Sequence, residues 1–299
     1  MIYCGDCLEY MDSIPDDYFD LVLTSPPYED ARTYGIDFKL KGQAWVDWAK
    51  ERFIECCRVS KGLVAWVVEG KTKQFSYSAT PILLAADLKR AGIKLRKPPV
   101  FHRIGIPGSG GPDWLRNDYE FVICASGGKL PWSDNTAMGH APKYSPGGQM
   151  SYRHSDGRRI NAQLSKKKKM QPKVAAFHNG EIKGQYHTKT GVNGDKYEQV
   201  YIPPTKANPG NVIKCNVGKG HMGHDLAHEN EAPYPESLAE FFVRSFCPPG
   251  GSVFDPFCGS GTTLAVATKT GRVGFGCDIR ESQKELTLRR LQEVSNATD

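Results

Sequence analysis

Apolar positions along this chain follow two different periods. DLVLTS (residues 20–25), GLVAWVVEG (62–70) and YEFVICAS (119–126) are short, nearly unbroken apolar runs closed by Pro, Gly or Ser. That pattern predicts strands buried on both faces. Between them, QAWVDWAKERFIECCRV places Trp45, Trp48, Ala49, Phe53 and Cys56 on one helical face. TPILLAADLKRAG predicts a second helix, with Thr80 as N-cap, Pro81 at its first position and Gly92 closing it. After residue 226 the alternation resumes. PESLAEFFVRSFC reads as an amphipathic helix, GSVFDPFCGSGTTLAVATKTG as strand, glycine turn and helix, RVGFGCDI as a strand and ESQKELTLRRLQEV as a closing helix. Strands alternating with helices predict an α/β fold with a doubly wound sheet.

Residues 127–216 break the pattern. They are rich in Gly, Pro, Ser, Asn, Lys and His and show no sustained period. Their aromatics, among them Trp132, Tyr144, Tyr152, Phe177, Tyr186, Tyr197 and Tyr201, favour a loop-rich recognition module over a disordered insert. The charge is uneven. The chain carries +6, but residues 140–225 hold fifteen Lys and Arg against five Asp and Glu, a balance of +10, which leaves −4 elsewhere. A basic module set in a mildly acidic one points to a polyanionic partner, most simply nucleic acid. Arg158, Arg159 and the run Lys166, Lys167, Lys168 and Lys169 are candidate phosphate contacts.

The 299 residues contain no apolar run long enough for a transmembrane helix and no signal-peptide pattern at the N-terminus, so no membrane partner is expected. Nine cysteines, an odd number in a chain this long, suit a reducing compartment rather than a disulfide framework. CGDC (residues 4–7) is a single CxxC without a second pair, and His221, His224 and His228 in HMGHDLAHE lack HExxH spacing, so no metal site is expected.

Two motifs carry candidate chemistry. In TSPPY (residues 24–28), Pro26 and Pro27 stop a strand and restrict the residue before each of them. Ser25 and Tyr28 are thereby held on a stiff turn at a strand's C-terminal edge, where open α/β sheets bind ligands. In VFDPFCGSGTT (253–263), a strand ending at Asp255 runs through Gly259 and Gly261 into a helix. Glycines there let backbone N–H groups approach a ligand. Leu264 stands where a dinucleotide fingerprint needs its third glycine, which argues against a nicotinamide oxidoreductase. The next strand ends at Asp278, a position suited to ribose hydroxyls. The combination suits a nucleoside cofactor without pyrophosphate.

The paired motifs resemble those of the amino-methylating DNA methyltransferases, which modify cytosine N4 or adenine N6. TSPPY resembles their catalytic motif and DPFCGSGTT their cofactor motif; the catalytic motif comes first, as in the family's β arrangement. CGDCLEYMDSIPDDYFDLVLTSPPY, LRNDYEFVICASGGK and PYPESLAEFFVRSFCPPGG resemble further family blocks. The resemblance implies a Rossmann-like, circularly permuted methyltransferase sheet formed by residues 1–126 and 226–299, with 127–225 as a target-recognition insert. It implies S-adenosylmethionine as cofactor, held by Asp6, Asp255, Phe257, Gly259, Ser260, Gly261, Thr262 and Asp278. It assigns catalysis to Ser25, Pro26, Pro27 and Tyr28, with Arg116, Asn117 and Glu120 beside the target base. Ser-Pro-Pro-Tyr goes mostly with cytosine N4 in this family and Asp-Pro-Pro-Tyr with adenine N6, so cytosine in double-stranded DNA is the first expectation and adenine the second. A cytoplasmic enzyme of a bacterium or phage follows, working at the nucleoid. A homodimer and a separate restriction endonuclease are the partners such enzymes can have. A non-catalytic DNA-binding module of the same fold is the remaining alternative.

Overall fold

The computed structural model describes residues 1–30, 38–105, 113–141, 152–153, 159–160, 177–178, 181–182, 185–190, 196–201, 206–218, 220–230 and 232–296. The chain divides into two compact units, Met1–Met138 with Pro209–Asp299, and Gly139–Asn208.

The first unit is built on an eight-stranded sheet. Its strands in chain order are β1 (Ile2–Cys4), β2 (Phe19–Thr24), β3 (Ser60–Val68), β4 (Val100–Ile104), β5 (Tyr119–Ala125), β6 (Val212–Asn216), β7 (Ser252–Asp255) and β8 (Val273–Asp278). Their spatial order is β1-β8-β7-β2-β3-β5-β4-β6. β5 runs antiparallel to both of its neighbours, and every other pairing is parallel. Parallel neighbours need crossover helices, which cover both faces of the sheet. These helices are α1 (Cys7–Asp12), α2 (Gly42–Val59), α3 (Thr80–Arg90), α4 (Glu236–Phe246), α5 (Thr262–Lys269) and α6 (Glu281–Asn296).

The strand alternation feeds two cores. Val22, Val64, Trp66 and Val68 pack with Trp45, Phe53 and Leu84 on the α1–α2–α3 face. Leu21, Leu23, Leu63, Ala65 and Val67 pack with Phe242 and Val266 on the α4–α5 face. Each fully buried side chain of this size contributes about 1.5–3 kcal/mol, so near-continuous apolar strands are what a doubly covered sheet requires. Truncating Phe242 to Ala would cost about 3–5 kcal/mol, because it has no exposed surface and its neighbours cannot close the hole.

Three local readings of the sequence change. Trp48, expected on the buried face of α2, is only half-buried and faces the cavity described below, while Trp45, Ala49, Phe53 and Cys56 are buried as expected. Thr80 is not the N-cap of α3. Ala79 holds that position with φ of 56°, and the Thr80 hydroxyl donates instead to the buried Glu29 carboxylate at 3.0 Å. Val212–Asn216, inside the stretch without sustained period, forms the edge strand β6, with Ile213 and Cys215 buried and their neighbours exposed. A five-residue strand paired with only one neighbour leaves little pattern to read.

In the second unit the described strands form short antiparallel pairs, the longest being Gln185–Thr190 with Lys196–Tyr201. Arg159 lies in one such pair; Arg158 and Lys166 to Lys169 are outside the described residues. No helix among the described residues is long and apolar enough to cross a membrane.

Candidate active site

β2 and β7 lie side by side, with Val22 opposite Phe254, and both motifs therefore leave the sheet at the same edge. Thr24 at the end of β2 donates to Asp255 Oδ1 at the end of β7, at 2.5 Å. Beyond Thr24 the turn is clamped from two sides. Trp45 Nε1 on α2 donates to the Pro27 carbonyl at 2.9 Å. The next residue but one, Glu29, is buried and accepts from the Gly42 and Lys71 amides at 3.0 and 3.1 Å and from the Ser78 and Thr80 hydroxyls. Burial pushes the Glu29 carboxyl up, but these four hydrogen bonds outweigh it and hold the group below the usual carboxylate range.

A cavity of about 530 Å³ opens at this edge. Ser25, Pro26, Pro27 and Tyr28 all line it, and so do Asp6, Phe257, Gly259 and Asp278. The two motifs, more than 220 residues apart in sequence, thus share one wall, and the volume suits a ligand of drug or cofactor size.

Asp278 is prepared as an acceptor. Its Oδ2 takes the Gly259 amide at 3.1 Å and its Oδ1 the Arg280 amide at 2.9 Å. Burial raises its carboxyl, and the Arg280 and Gly259 contacts work against that rise. A carboxylate has about four lone-pair sites, so further acceptor capacity remains for a ligand's hydroxyls. Asp6 caps α1 by accepting from the Leu8 amide at 2.8 Å and pairs with Arg52 at 2.9 Å. The Arg52 guanidinium sits 4.6 Å over the Trp48 ring, and Trp48 lies 5.6 Å from Phe257. Trp48 and Phe257, their rings tilted 42° to each other, give that side of the cavity an aromatic wall against which a purine ring can pack.

The glycine turn is needed by space as well as by conformation. Gly259 has φ of +49°, and a Cβ there would stand 2.7 Å from Asn230 Nδ2. Asn230 itself lines the cavity, and its buried Oδ1 has no hydrogen-bond partner among the described residues. A nucleoside carrying an amine would supply the missing donor, so the residues present fit such a cofactor.

Four of the eight residues expected to hold the cofactor, Asp255, Ser260, Gly261 and Thr262, do not reach the wall. Asp255, with 1% exposure, accepts from Thr24, Thr263, Tyr234 and the Phe257 amide. Burial raises its carboxyl to about 6 against the pull of these donors. Ser260 and Thr262 are buried and accept from Arg290 on α6, which pairs with Glu236 at 2.8 Å. Gly261, at φ of +75°, is the N-cap of α5, and a Cβ there would strike Thr287. These residues shape the turn from behind.

A polar line runs along the motif side of the cavity. Ser25 Oγ donates to Tyr28 Oη at 3.3 Å, Tyr28 Oη donates to Glu120 Oε2 at 2.7 Å, and Arg103 pairs with Glu120 Oε1 at 2.9 Å. All four residues line the cavity. Arg103 lies on β4, a strand not read from the sequence, which is why its role at the site was not legible there. Arg116 is half-exposed and pairs with Asp118 at 3.5 Å. Of the clustered histidines, His224 accepts from the Leu226 amide and pairs with Glu293, whereas His228 reaches the cavity wall.

The family model described as DNA methylase, of the N6_N4_Mtase type, matches residues 19–289. The chain belongs to this family: it is an S-adenosylmethionine-dependent DNA methyltransferase of the class that modifies cytosine N4 or adenine N6. It is 28% identical to the orphan methyltransferase M.BamHII of Bacillus amyloliquefaciens, over 94% of this chain and 91% of that protein. It is 25% identical to the DNA adenine methyltransferase YhdJ of Escherichia coli strain K12, over 98% of this chain and 82% of that protein. Its fold is similar to that of the cytosine-N4-specific PvuII DNA methyltransferase, with a TM-score of 0.63 and 17% identity over 99% of this chain and 89% of the other.

Proposed function

We propose that this enzyme methylates the N4 amine of cytosine in double-stranded DNA, at a target base flipped into the cavity beside Ser25. The observation that carries the reading is that Ser25 and Pro26 share one cavity wall with Gly259 and Asp278. A base amine placed at the first pair would stand next to a cofactor held by the second. S-adenosylmethionine supplies, when bound, a methyl carbon on a sulfonium sulfur: the C–S bond breaks with its pair left on sulfur while the amine nitrogen forms the N–C bond and sheds a proton to water.

The protein's part is orientation. A cytosine amine is a weak nucleophile because its lone pair is delocalised into the ring. Acceptors on its hydrogens localise that pair, and the Ser25 hydroxyl and the Pro26 carbonyl are the acceptors offered by the motif. Two prolines, the Trp45 bond to Pro27 and the Glu29 clamp fix their directions before any base arrives. Asp278 would hold the ribose, and Phe257, Trp48 and Asp6, which line the same cavity, would take the adenine. Tyr28 stacks on the extruded base. Flipping costs a few kcal/mol, offset by such stacking and by phosphate contacts. Arg158, Arg159 and Lys166 to Lys169 are the phosphate contacts we assign, on the +10 balance of residues 140–225, and Arg116, outside that segment, is the DNA contact we assign beside the target base.

Serine at the head of the motif supports cytosine over adenine, as does the fold shared with a cytosine-N4-specific enzyme. The similarity to an adenine methyltransferase keeps adenine N6 as the second reading. Purified protein, S-adenosylmethionine and bacterial genomic DNA, followed by nucleoside mass spectrometry, separates them. N4-methylcytosine is expected; N6-methyladenine alone would overturn the cytosine reading and leave the family intact.

A further inference from the structure

The polar line from Ser25 to Arg103 has a direction, and the direction matters for the amine. Glu120 is almost entirely buried, on β5, between Tyr28 and Arg103. An ionised carboxylate only accepts, so Tyr28 must donate to it. Tyr28 Oη has then spent its one proton, and it meets Ser25 Oγ as an acceptor at 3.3 Å. The Ser25 proton is thereby drawn toward Tyr28, and the lone pairs of Ser25 Oγ are turned to the cavity. An amine about to lose a proton needs acceptors there; a serine pointing its own O–H at the amine would compete for the nitrogen lone pair instead.

We infer that Glu120 is a positioning residue for methyl transfer: through Tyr28 it sets the Ser25 hydroxyl to accept from, rather than donate to, the target amine. Arg103 has a matching part: its charge, 2.9 Å from Glu120 Oε1, favours the ionised form against the rise that burial imposes. The inference rests on the reading of Ser25 as the acceptor for the base amine, and it holds for either base.

Three charged or titratable groups face Glu120 from the elements packed around it. Tyr28 comes from the turn after β2, Arg103 from β4 and Glu69 from the residue that follows β3. Burial raises the Glu120 carboxyl, while Arg103 and the Tyr28 hydrogen bond lower it, with burial the largest effect. As pH falls through this raised value, Glu120 gains a proton and can donate to Tyr28, and the line loses its direction. Glu69, next to the pair, is also raised by burial, and the Glu120 charge adds to that rise.

The test uses the whole protein in single-turnover methyl transfer to a duplex that it methylates, across pH, with S-adenosylmethionine binding measured by calorimetry. In Glu120→Gln the amide avoids setting its NH2 against Arg103 by turning it toward Tyr28, which reverses the line. The transfer rate should fall roughly 10- to 100-fold, cofactor affinity should stay within about twofold, and the acid limb of the wild-type rate profile should flatten. Glu120→Asp should recover part of the rate. Tyr28→Phe cuts the line without disturbing the buried ion pair, so it keeps the test decisive if Glu120→Gln folds poorly. The discriminating measurement is the double variant. On a Ser25→Ala background neither Glu120→Gln nor Tyr28→Phe should lower the rate further by more than about twofold, because the group they orient is gone. Full, multiplicative losses in the double variants would overturn the inference, as would a Glu120→Gln enzyme with the wild-type rate and acid limb. The single Ser25→Ala variant on the same duplex separates either result from a failure of the Ser25 reading itself: a wild-type rate in that variant would sink the Ser25 reading, whereas a large loss there leaves the double variants to judge Glu120.

Discussion

Thr24 donates to Asp255 at 2.5 Å, and with this bond the strand leading to Ser25 is tied to the strand leading to Gly259. Asp255 is the hub of the joint. It accepts from four groups, yet burial still raises its carboxyl to about 6, above the roughly 3.9 of an unfolded chain. The folded state therefore holds the Asp255 proton more tightly than the unfolded state does. Its contribution to stability is full below about pH 4 and is lost as pH rises through about 6. Two pH units correspond to on the order of 3 kcal/mol. Asp255→Asn removes the titration and keeps the shape, so urea unfolding of both proteins from pH 4 to 8 isolates it. The stability of the wild type relative to Asp255→Asn should fall across that window. A difference that does not vary with pH would show that Asp255 is not buried as a carboxylate.

Thr24→Val replaces the hydroxyl by a methyl group of similar size. It leaves Asp255 with one donor fewer in a buried site, at about 1–3 kcal/mol. The effect should be largest where Asp255 is ionised, above pH 6, and should shrink at pH 4. Equal destabilisation at both pH values, in thermal or urea melts, would count against the bond.

For the cofactor, Asp278→Ala should weaken S-adenosylmethionine binding by tenfold or more, since losing the partner of ribose hydroxyls costs about 1–3 kcal/mol. Calorimetry on a folded variant is the check. Unchanged affinity would remove Asp278 from the cofactor site.

Gly259→Ala tests the turn. The new methyl would meet Asn230 at 2.7 Å, and the left-handed φ of +49° disfavours alanine by roughly 1–2 kcal/mol. Lower melting temperature together with weaker S-adenosylmethionine binding is expected. Gly92→Ala has a positive φ too but open space around it, so it should lower stability without touching cofactor affinity.

The lysine run at 166–169 should act on DNA through charge alone. Each phosphate contact contributes about −0.9 to the slope of log affinity against log salt. Replacing all four lysines by Ala should flatten that slope by about 1 to 3.6 units and weaken specific and non-specific DNA equally. An unchanged slope would make the run a solvated loop. Loss of specific binding alone would make it a reader of bases.

The alternation of strands and helices is legible in the chain alone, because both faces of the sheet are covered and apolar runs are the direct mark of that burial. The two motifs are legible as well, since prolines and glycines act on the backbone locally and their effects can be read residue by residue. Which of those residues face the cavity depends on how the elements pack. Asp255, Ser260 and Thr262 sit in the same motif as Gly259 but look inward to Thr24 and Arg290, a distinction made by packing against α6 and β2 rather than by spacing. Packing also sets where Thr80 spends its hydroxyl: a buried carboxylate 51 positions earlier outcompetes the helix end. Arg103 shows the limit most clearly. Nothing in VFHRI marks it, for its strand is short and half-exposed, and only the antiparallel pairing of β4 with β5 sets it against Glu120. Contacts of that kind depend on which strands become neighbours, and strand order is fixed by the whole fold, not by the residues of either strand.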